Sequence, residues 1–388
     1  MSRTTTTVRF EAGGRLPTVL AAVGCAAALA AALAAPDLAR AAAAQDWPPF
    51  VLVAGLLLVG LVADEDGLFA AGGHALARLS PNGLTLYAGT AVLVVAVTTL
   101  LNLDTSVTFL TPVLVYAARS RGEGEAPLLY GCILLSNAGS LMLPGSNLTN
   151  LIVLGHLHLS GRGFFDAMAP AGLAAAAVTA TLVGVIHRRS LRATRAPSTD
   201  AERPVLGVGL AAAVAVTVLV LTLRSPAIPV AAVGGVAVAL RTWRARDRGR
   251  VEEALGILGV PVLVGLFGLA IALGTLGRGW SGPQDLLVHL DAWGTAAVAA
   301  LFSVVVNNLP AASLLAARRP PNPYALLVGL NVGPNLFVTG SLAWVLWRRA
   351  ARQAGAKPDL RHATALGVVS APLALVAAVA VLVASGTH

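Results

Sequence analysis

Apolar runs of membrane-spanning length recur from one end of this chain to the other, and that feature leaves few folds open. Hydrocarbon offers no water to a backbone N–H or C=O, so a chain that crosses a bilayer in runs of about 20 apolar residues must cross as helices. Only 12% of the residues are charged, with 56% hydrophobic, about half the charge of an ordinary soluble domain. Nine runs read as spans: 16–38, 48–66, 126–158, 167–187, 205–223, 226–241, 252–277, 323–347 and 364–385. Two further apolar segments, 84–118 and 285–317, are interrupted in the middle by polar residues. The first run follows Arg3, Arg9 and Arg15 and is read as a retained span, because the topology needs it.

A net charge of +9 would point to nucleic acid in a soluble protein. Here the basic residues cluster in short loops between spans, which is the positive-inside pattern and reports orientation in a cell membrane, with no nucleic acid partner implied. The N-terminus, Arg78, Arg119 with Arg121, "HRRSLRATR", "RTWRARDRGR" and "RRAARQAGAKPDLR" are placed on the cytoplasmic side, and the C-terminus outside. Arg78 and Arg119 flank segment 84–118, so that segment enters and returns on one side as a re-entrant hairpin. Segment 285–317 then enters from the outside, leaving Arg318 and Arg319 external.

The fold class expected is an all-α polytopic membrane protein with inverted-topology repeats, two re-entrant hairpins and two broken transmembrane helices. The first repeat is 1–187: two spans, hairpin 84–118, broken span 126–158 and span 167–187. A basic cytoplasmic loop and linker helix occupy 188–225. The second repeat is 226–388: two spans, hairpin 285–317, broken span 323–347 and span 364–385. "NAGSLMLPGSNL" from Asn137 and "NVGPNLFVTGSLA" from Asn331 share Asn-x-Gly and a later Gly-Ser within one residue of register.

Polar interruptions at membrane depth mark the chemistry. Four segments break, 102–106, 143–150, 307–310 and 332–341, and irregular backbone at that depth is tolerated only where it is buried in protein or lines a cavity. Proline removes a helix hydrogen bond, glycine permits the unwound chain, and the half-helix ends offer free N–H and C=O groups. The substrate-binding candidates are Asn102, Thr105 and Ser106 on the first hairpin tip, and Asn137, Ser146, Asn147 and Asn150 along the first broken span. Their counterparts are Asn307 and Asn308 on the second tip, with Asn331, Asn335, Thr339 and Ser341 along the second broken span.

Asp104 is the one acidic residue placed deep in the membrane. A charge at the bilayer centre costs about 2.5–3.5 kcal/mol even on insertion scales, a cost relieved when a carboxylate takes up a proton or a cation. Asp104 is therefore the proton-coupling candidate. Asp64, Glu65 and Asp66 end a span and are expected to face water or cap the next helix; His74 and His289 are expected at the interface. Cys25 and Cys132 lie in apolar surroundings and are expected to be buried and structural. His156 and His158 stand two apart, a spacing that diverges on a helix. No Gly-rich phosphate loop, nucleophile elbow or His-Glu-x-x-His sequence is present, so no cofactor, metal or enzymatic activity is expected.

The stretches "DEDGLFAAGGHALARLSPNG", "NLDTSVTFLTPVL", "LPGSNLTNLIV", "VVNNLPAASLL" and "NVGPNLFVTGSLAWVLW" resemble the arsenite efflux permeases of the ion-transporter superfamily, which also holds dicarboxylate carriers and sodium–proton antiporters. The resemblance runs from about residue 50 onward. It implies a homodimeric, elevator-like carrier whose scaffold is formed by the spans outside the hairpins. The reading that follows is a secondary transporter expelling a small oxyacid, arsenite or antimonite, in exchange for protons. Neutral As(OH)3 presents only hydroxyl groups, which Asn, Ser and Thr side chains can satisfy. The alternatives are a sodium- or proton-coupled carrier of dicarboxylates or other anions, a sodium–proton antiporter, or a passive channel. Any ATP drive would come from a separate ATPase subunit.

The topology has a direct check. In a background without Cys25 and Cys132, a single cysteine at Gly161 should react with an impermeant thiol reagent from outside, and one at Ser198 should not. The reverse labelling, or equal labelling, would invert the assignment.

Overall fold

The computed structural model describes residues 15–122, 124–155, 161–192, 207–223, 225–245 and 249–386, and all regular structure in them is helical. Helix α1 (Arg15–Ala34) and helix α2 (Pro36–Glu65) are separated by Ala35 alone. The sequence reading ended one span at 38 and began the next at 48. Instead α2 begins at Pro36, where proline's missing N–H costs nothing, and the alanine run 41–44 carries the helix on through Pro48 and Pro49. At 30 residues α2 is about 45 Å long.

An amphipathic helix α3 (Leu68–Leu79) leads to α4 (Gly83–Leu100), whose N-terminus is closed by a capping box between Asn82 and Thr85. Helix α4 ends at Leu101 and Asn102, and the chain continues through α5 (Leu103–Thr105), a wide π-type turn (Ser106–Leu110) and α6 (Thr111–Ser120). Helix α3 packs against both α4 and α6. The first broken helix consists of α7 (Ala126–Gly139) and α8 (Leu148–Leu154), followed by α9 (Gly161–Ile186) and α10 (Val208–Thr222).

The second half runs α11 (Ala227–Ala245), α12 (Gly249–Leu258), α13 (Val260–Gly279), α14 (Gly282–Val288), α15 (Ala292–Val306) and α16 (Asn308–Leu315). It ends with α17 (Pro323–Val332), α18 (Ala343–Gln353) and α19 (Leu360–Ala384). Six stretches, in α1, α2, α4, α9, α12–α13 and α19, are long and apolar enough to cross a membrane by length and composition. The chain is a multi-pass, all-α membrane protein.

Helices α1 and α13 pack along their length, as do α11 and α2, while α2 and α13 pack on each other. Small residues permit these approaches. A Cβ on Gly24 would lie 2.7 Å from Gly265 Cα, and one on Gly55 would lie 2.7 Å from Ala231 Cα. Membrane helices gain little from the hydrophobic effect between them, so close backbone contact of this kind carries the packing. Helix α9 lies along α19, α4 along α7, and α15 along α17. Trp344 and Trp347 are buried, and their indole N–H groups donate to the Pro334 and Leu129 carbonyls at 2.9 Å each, docking α18 onto the turn after α17 and onto α7.

The acids that end α2 do not simply face water. Asp66 is 7% exposed; its Oδ2 accepts from the Gly209 amide at 2.7 Å and its Oδ1 pairs with Arg241 at 2.8 Å. Glu65 pairs with the same guanidinium at 3.3 Å. These bonds tie α2 to α10 and α11, and the residue at the N-cap of α3 is Gly67. Cys132 is buried as expected, but Cys25 is exposed on the outer face of α1. His74 and His289 are both exposed, and His156 and His158 lie outside the described residues.

Candidate functional site

The two broken helices meet through their amides. Asn331, at the end of α17, is fully buried and sits among the residues of the first break. Its Oδ1 accepts from Ser140 Oγ at 2.7 Å and Asn147 Nδ2 at 2.6 Å, and its Nδ2 donates to Asn150 Oδ1 at 2.9 Å. Asn137 Nδ2 donates to Asn335 Oδ1 at 2.8 Å, and Asn335 Nδ2 donates to the Leu134 carbonyl at 3.0 Å. Each mid-helix Asn thus bonds a polar group three or four residues beyond the other. Asn150 Nδ2 also donates to the freed carbonyls of Ser140 and Leu143, at 2.7 and 3.0 Å. Ser146 Oγ donates to the same two carbonyls, at 2.6 and 2.5 Å.

Magnitude explains why so many bonds are used. An interhelical hydrogen bond in a membrane protein averages about 0.6 kcal/mol, so one would not fix a crossing, whereas the five between the two broken helices come to about 3 kcal/mol.

The second hairpin tip is tied to the second break. Asn307 has φ 75° and ψ 149°, a backbone region that glycine tolerates and asparagine occupies only under constraint. The constraint is visible: Asn307 Nδ2 donates to the Thr339 carbonyl at 3.1 Å, and the Asn308 amide donates to the Gly340 carbonyl at 2.9 Å. Thr339, itself exposed, returns a bond from Oγ1 to the Val304 carbonyl at 2.9 Å.

The first tip is different. Asn102 caps α5, its Oδ1 accepting from the Thr105 amide at 2.6 Å, and Ser106 Oγ pairs with Ser136 Oγ of α7 at 3.1 Å. Beyond those bonds the tip is left open. Asn102 Nδ2 and Thr105 Oγ1 are buried without a partner, and so is Ser341 Oγ. Ser341 lies two residues before α18, the helix that packs against α5 and the π turn. Asp104 is half-buried and makes no hydrogen bond or ion pair among the described residues.

The sequence-predicted residues therefore divide. Asn137, Ser146, Asn147, Asn150, Asn331 and Asn335 are brought together and lock the crossing; Asn307, Asn308 and Thr339 join the second tip to its break. Asn102, Asp104, Thr105 and Ser341 carry open valences, as does Asn137 Oδ1 within the crossing.

One buried acid escaped the sequence reading. Asp46 in α2 is 2% exposed and its Oδ2 has no partner. The Arg278 guanidinium of α13 lies beside it, with Nη1 donating to the Gly274 carbonyl at 2.9 Å and Nη2 to Gln45 Oε1. Gln45 Nε2 in turn reaches the Ile152 carbonyl of α8 at 2.9 Å and the Ala316 carbonyl after α16 at 3.3 Å. A cavity of about 370 Å³ opens alongside, between Gln45, Pro48, Leu151, Gly155 and Ser225. The signal was "AQDW", which the sequence reading left in a connection between spans.

Helices broken in the middle of an apolar bundle, with their polar ends turned onto one another, make a membrane transport protein. The chain belongs to the citrate transporter family, whose profile matches residues 10–328. It is similar to the arsenical pump membrane proteins of Escherichia coli and Yersinia enterocolitica, each 23% identical over 333 residues, which is 78% of this chain and 78% of each relative. Among solved structures it is similar to the YdaH transporter of Alcanivorax borkumensis, described as having an unusual topology, at 15% identity and a TM-score of 0.54 over 90% of this chain and 88% of that one. The family and these relatives bear out the superfamily read from the motifs, and make the chain a secondary transporter.

The crossing predicts its own test. Asn331→Leu keeps the volume but strands Asn147 and Asn150, so it should lower unfolding stability in detergent by about 2 kcal/mol or more, read as a fall in Tm. A Tm equal to that of the unsubstituted protein would show that the network does not hold the helices together.

Proposed function

We propose that the chain expels a small neutral oxyacid, arsenite or antimonite, in exchange for protons. The observation that carries this is a set of buried, unpartnered neutral groups: Asn102 Nδ2 and Thr105 Oγ1 flank the unpartnered Asp104 in sequence, and Ser341 Oγ lies just before the helix that packs on α5. Three hydroxyl groups on a neutral solute can satisfy amide and hydroxyl groups without a fixed counter-charge, and one titratable Asp then suffices to couple protons. The arsenical pump relatives support the same solute.

In this reading the two halves are inverted repeats. The packing of α1 on α13 and of α11 on α2 supports it, because each is the first helix of one half set on the long helix of the other. Segments 84–118 and 285–317 act as re-entrant hairpins, with the N-terminus cytoplasmic and the C-terminus external. The hairpins, the broken helices, α9 and α19 move as one body past a scaffold of α1, α2, α11 and α13, in a homodimer that works alone or on a separate ATPase subunit. The latch from Gln45 to α8 and α16 would have to open as that body moves.

The family description favours a second reading, a carrier of citrate or another carboxylate driven by protons or sodium. Such an anion needs positive compensation, and none of the proposed binding side chains is cationic. Half-helix dipoles or bound sodium would have to supply it.

Asp104→Asn preserves size and hydrogen bonding but cannot titrate. It should reduce gradient-driven transport at least tenfold while the protein remains folded, and Asp104→Glu should retain part of the activity with a displaced pH profile. Accumulation by Asp104→Asn at the unsubstituted rate would make Asp104 structural and move the proton path to Asp46 or to the acids that end α2.

A further inference from the structure

At one end of the α9–α19 seam two histidines meet edge to face, outside the residues proposed to bind the solute. His187 follows the last residue of α9, and His362 lies in the first turn of α19. Their Nε2 atoms are 3.2 Å apart, with ring centroids at 5.3 Å and ring planes at 79°. Tyr130 of α7 packs on both rings, at 6.2 Å from His187 and 5.0 Å from His362. The Tyr130 hydroxyl accepts from the Asp359 amide at 3.1 Å, which anchors the start of α19 against the same aromatic group.

The protonation pattern follows from the neighbours. His187 Nδ1 lies 2.9 Å from the Val183 carbonyl, and a carbonyl only accepts, so Nδ1 carries the proton. Nε2 of His187 is then a bare lone pair aimed at His362. A neutral imidazole with Nδ1–H anchored on a backbone carbonyl and Nε2 free is the state in which histidine binds metals, and that anchoring bond is the usual outer partner of a metal-ligating ring. Two such nitrogens bound at about 2.0 Å to one tetrahedral ion stand about 3.3 Å apart. The observed separation suits that geometry.

We propose that His187 and His362 form a two-imidazole site for a borderline divalent transition metal, zinc being the probe of choice, that staples α9 to α19. Without metal the same pair shares one proton, His362 donating to His187. With metal, His362 adopts its other tautomer and both rings present Nε2. Among the described residues no group of three or more His, Cys, Asp or Glu side chains surrounds a common point, so the described residues supply two ligands here, with solvent completing the shell through the half-exposed rings. Nitrogen donors select zinc, copper or nickel over magnesium and calcium, which require oxygen. Arg188, Arg189 and Arg361 adjoin the pair in sequence and oppose a cation, so the affinity expected is micromolar.

The test uses the full-length protein in detergent, with any purification tag removed, titrated with zinc chloride by calorimetry and followed by thermal unfolding. One zinc per chain should bind with a rise in Tm of several degrees. His187→Gln and His362→Gln should each abolish that event and that rise, with little change in Tm when zinc is absent. The exposed His74 and His289 serve as controls: a variant with both replaced by Gln should bind as the unsubstituted protein does. Absence of saturable zinc binding, or binding that survives both seam substitutions, would overturn the proposal.

Discussion

An unpaired backbone group in hydrocarbon costs several kcal/mol, and this chain breaks two of its helices at that depth. The structure depends on how those breaks are satisfied. Each broken helix completes the other: Asn331 fills the first break through Ser140, Asn147 and Asn150, while Asn137 and Asn335 join the helices on the other side. Asn150 and Ser146 then take up carbonyls that the interrupted helix can no longer use. The breaks are therefore a joint between the two broken helices. The two unwound segments are thus held by bonds that each helix supplies to the other.

Satisfaction is not uniform. The crossing leaves few free atoms; the first hairpin tip leaves several, at Asn102, Thr105 and Asp104, with Ser341 at the start of the helix that packs there. The second tip is held by backbone bonds and by a constrained Asn307. Strain of order 1–3 kcal/mol at such a residue persists only where the surroundings enforce it, and here the bonds to Thr339 and Gly340 do so. Asp46, which is buried, and Asp104, which is half-buried, are acids of different kinds. Asp46 has an arginine beside it and a glutamine tying the region to α8 and α16, whereas Asp104 has neither.

Much of this was legible in the amino-acid sequence, because the physics of the bilayer speaks through composition. The apolar runs, and the four places where Pro, Gly, Asn and Ser interrupt them, marked the helices and their breaks. What was not legible was partnership. An Asn in mid-span reads the same whether it binds a solute or another helix, so sequence alone does not separate Asn331 and Asn147 from Asn102; their bonds do. Asp46 was missed for a local reason: two charges and a Trp-Pro-Pro sequence looked like a connection, while the alanines before them continued the helix. The His187–His362 pair joins residues 175 apart, each beside arginines, and no spacing rule could have linked them.

The measurement that bears most directly on this account is uptake into everted membrane vesicles carrying the protein, with the interior made acid and arsenite, succinate, citrate and sodium offered separately. The account predicts arsenite accumulation above that of vesicles lacking the protein, collapsed by a protonophore, with no accumulation of the carboxylates. Arsenite uptake no greater than in vesicles without the protein, or accumulation of citrate or succinate in its place, would contradict it.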